Sequence, residues 1–137
     1  MTNKNIFYLL HQMDTFTNQM TIRWNKIFNE DLGVSHILTL SFLQHNESSR
    51  PSDVSKALGL TPPTVTHLVN KLVKKGLVER QANDNDRRII YLVITKQGQD
   101  VLEKAIESGQ VLRKEVFLKL TDEERQQLLT LYKKLKQ

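Results

Sequence analysis

Gly59-Leu60-Thr61-Pro62-Pro63 is the stretch that most constrains the fold. Two adjacent prolines cannot sit inside a helix, because each lacks an N–H and its ring clashes with the preceding turn. They suit the first turn of a new helix, with Thr61 as its N-cap hydroxyl. Gly59 tolerates the positive φ that ends a helix. The apolar residues on either side therefore belong to two short helices: Val54 and Leu58 before the break, Val65, Leu68, Val69 and Leu72 after it. Pro51 opens the first helix, and Gly76, behind Lys74 and Lys75, ends the second. Ser55 gives the first helix a small inner side. Together Ser55, Gly59, Val65 and Leu68 fit the spacing of a helix-turn-helix, which short α-hairpins of other folds also share.

The residues after Gly76 narrow the choice. Leu77-Val78-Glu79-Arg80 and Ile89 to Ile94 are β-type runs, separated by polar Gln81 to Arg88. Two strands with a polar tip make a hairpin, and a hairpin directly after a helix-turn-helix makes a wing. Around this centre the chain reads as helical. Residues 3–28 carry Ile6, Leu10, Met13, Thr17, Met20, Trp24 and Ile27 at steps of four and three, a heptad-type stripe. Such a helix must lie across other helices or a second subunit. A second helix carries Ile37, Leu38, Leu40, Phe42 and Leu43, with Ser35 as its expected N-cap. His45 to Arg50 reads as a polar turn. Thr95 caps a helix to about Leu118, in which Gly109 marks a bend or a close helix contact. Thr121-Asp122-Glu123-Glu124 has capping-box spacing and opens a last helix. The expected fold is mainly α with a small β-hairpin wing. The expected domains are an N-terminal dimerisation helix (1–32), a winged lobe (33–95) and C-terminal dimerisation helices (96–137).

Charge follows the same division. Residues 50–94 hold eight Lys/Arg against four Asp/Glu, an excess of four within a total of +5. The flanking segments carry −1 and +2. With 39% hydrophobic and 26% charged residues, the composition is that of a soluble globular chain. No stretch approaches the roughly 18 apolar residues of a membrane span, and the N-terminus lacks a signal-type pattern. Zero cysteines exclude disulfides, thiolate metal sites and thiol redox switching. The four histidines (His11, His36, His45, His67) lack metal-ligand spacing, so neither metal nor cofactor is expected. No Gly-rich phosphate loop or catalytic constellation suggests an enzyme.

With about 100° per residue, Pro63, His67, Asn70 and Lys74 lie opposite the apolar face of the helix that Thr61 caps, flanked by Thr64 and Lys71. Such a face suits the edge of a DNA major groove. The helix N-terminus favours a phosphate near Thr61 and Thr64. The bland reading is a solvated amphipathic helix. At the hairpin tip, Asp84, Asp86, Arg87 and Arg88 read either as a turn with mutual ion pairs, or as one acid orienting one arginine while another enters a minor groove.

Three segments resemble the MarR (multiple antibiotic resistance regulator) family of transcription factors. They are Asp53 to Thr61 through Thr64-Val65-Thr66, then Asn70 to Arg80, then Asp84-x-Asp86-Arg87-Arg88 with Leu92-Val93-Ile94-Thr95-x-x-Gly98. Helix order and length agree over nearly the whole chain. The resemblance implies a cytoplasmic homodimer pairing through its terminal helices. It implies binding to double-stranded DNA at a pseudo-palindromic operator, with Thr66 in the recognition helix and Arg80 at the wing joining the residues above. It implies a repressor released by a small aromatic or anionic ligand, for which Phe7, His11, Phe16, Trp24, His36 and Phe42 are candidate lining residues. Aromatics at helical spacing also read as core. His67 stands where the family often has arginine. The alternative is a winged-helix module that docks a protein and does not bind DNA specifically.

Overall fold

The computed structural model describes residues 3–137, with side chains from Asn5 onward. Among these residues the order is α1 (Asn3–Phe28), α2 (Val34–His45), α3 (Pro51–Leu58), α4 (Pro62–Lys74), β1 (Val78–Ala82), β2 (Ile90–Ile94), α5 (Lys96–Phe117) and α6 (Asp122–Leu135). The architecture is mainly helical with one hairpin. No helix among the described residues is long and apolar enough to cross a membrane. The chain forms two compact units. One is Phe28–Ile106; the other joins α1 up to Ile27 with Glu107–Gln137.

In Phe28–Ile106, α2 packs on α3, α4 and β2, and α3 packs on α4. Their shared core is Leu40 and Leu43 of α2, Val54 of α3, and Val65, Leu68, Val69 and Leu72 of α4. Val78 and Leu92 of the hairpin, with Leu102 and Ala105 of α5, complete it. Burying each such side chain stabilises the fold by about 1.5–3 kcal/mol. The strands pair antiparallel from Val78↔Ile94 to Ala82↔Ile90. β1 therefore continues two residues past the expected Arg80. His45–Arg50 does more than turn, because Ser49 bridges to Leu92, whose N–H donates to the Ser49 carbonyl at 2.8 Å.

The N-cap of α2 is Gly33, not Ser35. The reason is His36, whose Nδ1 accepts the Gly33 N–H at 3.1 Å. An imidazole at the third helical position performs the back-reaching half of a capping box.

Gly98 fixes the wing to α5. The Thr95 N–H donates to the Leu77 carbonyl at 3.0 Å, and its hydroxyl donates to the Gly76 carbonyl at 2.7 Å. The same hydroxyl accepts from the Gly98 N–H at 3.0 Å. The first turn of α5 thereby lies so close to the chain entering β1 that a Cβ on Gly98 would stand 2.2 Å from the Leu77 carbonyl oxygen.

The other unit has little core of its own. Leu112 is buried, while Ile6, Leu10 and Met13 of α1 and Leu129, Leu131, Tyr132 and Leu135 of α6 are exposed. α5 runs unbroken through Gly109. A Cβ there would meet the Trp24 ring at 3.8 Å, so the glycine marks a helix contact and not a bend. At the start of α6, Thr121 and Glu124 exchange backbone and side-chain hydrogen bonds at 2.8 and 3.1 Å. The Thr121 N–H, donating to the carboxylate, and in second place the Thr121 side chain hold the Glu124 carboxyl below its ordinary range.

Gly98→Ala should destabilise the protein by about 1–3 kcal/mol, the range for overpacking a tight contact. Urea unfolding should show a lower midpoint with an unchanged slope. An unchanged midpoint would mean that the backbone there yields freely.

Candidate nucleic-acid interface

The turn between α3 and α4 is held by three local features. Gly59 sits at φ +66° and closes α3 in the left-handed conformation. The Leu60 N–H donates to the Ser55 carbonyl at 3.1 Å. The Ser55 hydroxyl donates to the Leu60 carbonyl. Thr61 then caps α4, accepting from the Thr64 N–H at 3.4 Å, with the two hydroxyls 2.8 Å apart.

α4 buries Val65, Leu68, Val69 and Leu72, and this fixes what it shows outside. Pro63, Thr64, Thr66, His67, Asn70 and Lys74 form the outward set, with His67 and Asn70 exposed at its centre. The Thr66 hydroxyl is turned back onto the Pro62 carbonyl at 3.0 Å. Lys71 is half-buried, and its Nζ lies 3.4 Å from Asp31 Oδ2 in the α1–α2 loop. Asp31 has φ +52° and Asn29 φ +48°, so that loop is held in a conformation few side chains adopt. The sequence pattern does not point to Asp31, because nothing local links it to a lysine forty residues later. Arg80 is also tied: its guanidinium donates to Asn70 Oδ1.

The tip of the wing is organised by Asn83. Its Oδ1 accepts the Asn85 and Asp86 N–H groups at 2.8 and 3.0 Å, an Asx-type turn. Its own N–H donates to the Ile89 carbonyl at 2.9 Å. Asp86 then grips Arg88 with both carboxylate oxygens, at 3.1 Å to Nε and 3.1 Å to a terminal nitrogen. These side-chain bonds, joined by the Arg88 N–H, hold the Asp86 carboxyl below its ordinary range. Arg87 and Asp84 are exposed, and among the described residues Arg87 has no hydrogen bond or ion pair. One acid orients one arginine, and the neighbouring arginine is left free.

The candidate ligand residues divide between the units. Phe7 and His11 are exposed on α1. Phe16 lines a cleft of about 340 Å³ with Met20, Arg23, Val116, Phe117 and Leu120. Trp24 lies beside Gly109. In the other unit Phe42 edges an open cleft of about 510 Å³ with Asn46, Ser49, Asp53 and Lys56, whereas His36 serves as the cap of α2. Among the described residues no group of three or more His, Asp or Glu is placed to hold a metal ion.

The MarR family model matches residues 30–89, from the α1–α2 loop through the tip of the wing. The uncharacterized HTH-type transcriptional regulator YwhA of Bacillus subtilis is 33% identical over 98 residues, covering 72% of this chain and 70% of YwhA. The chain belongs to the MarR family. A second relative is the transcriptional repressor MprA of Escherichia coli K12, 30% identical over 107 residues. That match covers 75% of this chain and 61% of MprA, so the chain spans about three fifths of that repressor's length. A cysteine-to-serine mutant of E. coli MarR, solved in complex with operator DNA, superposes with a TM-score of 0.73 at 26% identity, covering 96% of this chain and 95% of that one.

His36 has a half-buried setting in this lobe. Its Nδ1 accepts a hydrogen bond, so the proton of the neutral ring sits on Nε2. That atom is buried and has no hydrogen-bond partner. Burial is the main reason its pKa falls below 6.5; Lys71, His67 and Lys75 lower it further, against an opposing effect of Asp31. A folded-state pKa below the unfolded one means that the unfolded chain binds the proton first. The contribution of His36 to stability is therefore present above about pH 6.5 and is lost as pH falls below it. NMR titration of the His36 ring should give a value below 6.5. A value at or above it would contradict the capping role.

Proposed function

We propose that the protein is a sequence-specific, DNA-binding transcriptional regulator that acts as a homodimeric repressor and leaves its operator when a small aromatic or anionic ligand binds. The observation that carries the DNA-binding part is the pairing of one exposed polar and cationic face on α4 with a stiffened wing tip that leaves Arg87 free. In this reading α4 enters the major groove. Thr61 and Thr64, at its positive end, meet a phosphate. Pro63, Thr66, His67 and Asn70 face base edges, and Lys74 meets the backbone. Arg87 enters the minor groove, while Asp86 holds Arg88 and Asp84 flanks the tip. Lys71 is released to phosphate only if it leaves Asp31. That exchange is cheap, since exposed ion pairs contribute only about 0–1 kcal/mol.

Homodimerisation supplies what the terminal helices lack. Ile6, Leu10 and Met13 of α1 and Leu131 and Leu135 of α6 are apolar and exposed. Exposed apolar residues repeated along a helix in this way favour an association site. A two-fold dimer reads a pseudo-palindrome with half-sites about one helical turn apart. A ligand favouring another spacing of the two α4 helices would weaken DNA binding by its differential affinity for the two forms. This chain binds and does not catalyse, and it works in the cytoplasm.

Binding to a site chosen by in vitro selection should weaken steeply with salt, by a log–log slope of about −0.9 per phosphate contacted. Lys74→Ala should weaken binding alike on all sequences and lower that slope by about one. His67→Ala should instead change which sequence is preferred. A flat salt response, or a monomer by sedimentation at micromolar concentration, would overturn the reading in favour of a module that docks proteins.

A further inference from the structure

Arg50 stands where α3 meets the wing. It is the N-cap of α3, and its N–H donates to Asp53 Oδ2 at 2.8 Å. The residue before it, Ser49, is buried and pairs antiparallel with Leu92 of β2. Antiparallel pairing sends the chain after Ser49 toward the tip end of β2, the side of Tyr91 and Ile90. The backbone of Arg50 is thus held from two directions, by the sheet and by the first turn of α3. α3 in turn packs on α4.

The fold fixes this backbone but leaves the side chain uncommitted. Arg50 is exposed, and among the described residues its guanidinium makes no hydrogen bond or ion pair. Its charge nevertheless reaches the wing. The Asp86 carboxyl, held low first by its bonds with Arg88, is lowered further by the charge of Arg50. The cation therefore lies on the wing side of α3, near the pair that stiffens the tip. The polar stretch His45 to Arg50 gives no sign of this in the sequence, because Ser49 joins the sheet through its main chain.

With α4 in a major groove and Arg87 in the adjoining minor groove, the sugar-phosphate strand that separates the two grooves must pass between them. The first helix of a helix-turn-helix crosses the DNA backbone. Here that helix is α3, and Arg50 is the free cation at its start. A guanidinium matches phosphate through two parallel N–H···O bonds. We propose that Arg50 is a further DNA contact, a phosphate clamp at the junction of α3 and the wing that sets the register of the wing on each half-site without reading a base. The inference rests on the DNA-binding reading above.

The test uses the full-length protein on a duplex chosen by in vitro selection, with affinity read by fluorescence anisotropy over a range of salt. Arg50→Gln removes the charge and keeps a polar side chain of similar length. It should weaken binding about five- to tenfold per half-site at about 0.1 M salt, and lower the log–log salt slope by about 0.9 per half-site. Arg50→Lys restores the charge and should restore the slope. Ethylation of one phosphate per half-site, between the two grooves, should interfere with binding by wild type and not by Arg50→Gln. The inference is overturned if Arg50→Gln keeps the wild-type slope and interference, or if Arg50→Lys leaves the slope lowered. It is also overturned if Arg50→Gln loses affinity with its slope intact, since Arg50 would then act by steadying the wing through Asp86. A wild type whose binding is flat with salt would overturn the DNA-binding reading itself, and so separates the two failures.

Discussion

The left-handed turn at Gly59 is the constraint on which the rest of the lobe depends. It stops α3 while Ser55 clasps Leu60 from both sides, by its carbonyl and its hydroxyl. The two prolines have no N–H to lose in the first turn of α4, and Thr61 satisfies the Thr64 N–H behind them. With its start fixed, α4 has one way to bury Val65, Leu68, Val69 and Leu72. The outward set from Pro63 to Lys74 is a result of that burial. The outward polar face is thus a consequence of packing, and its members are there because they are the residues the core left out.

A second junction transmits this order to the wing. The polar atoms of Thr95 close onto Gly76, Leu77 and Gly98, and the bare Cα of Gly98 lets α5 sit against the Leu77 carbonyl. Ser49 adds a third backbone to the sheet at Leu92. The hairpin is therefore anchored at its base by hydrogen bonds, while its tip is shaped by Asn83 and stiffened by the Asp86–Arg88 pair. The base is bonded to its neighbours, and the tip leaves Arg87 as its unpaired arginine.

Much of this was legible in the sequence because the informative signals were local. Glycine and proline punctuation marked the turns, β-type residues marked the hairpin, and the Thr121–Glu124 spacing marked a cap. Other features escaped because they join residues far apart or use backbone alone. Asp31 meets Lys71 across forty residues. Ser49 pairs through its main chain, which leaves no trace in side-chain pattern. Gly33 caps α2 because an imidazole reaches back to it, a role that composition assigns more readily to Ser35. Arg80 read as a wing cation, yet its guanidinium faces Asn70, which a tally of charges cannot reveal. The terminal stripes of apolar residues were legible as unsatisfied, and Ile6, Leu10, Met13, Leu131 and Leu135 remain exposed in the single chain.

In the function proposed for this lobe, α4 enters a major groove and Arg87 the adjoining minor groove. Hydroxyl-radical footprinting on a selected duplex tests this most directly, because the radical attacks sugars from the minor groove. Two protected segments about one helical turn apart are expected, with outer flanking protection that disappears in Arg87→Ala while the inner segments persist. A single protected segment, or flanking protection indifferent to Arg87→Ala, would contradict it.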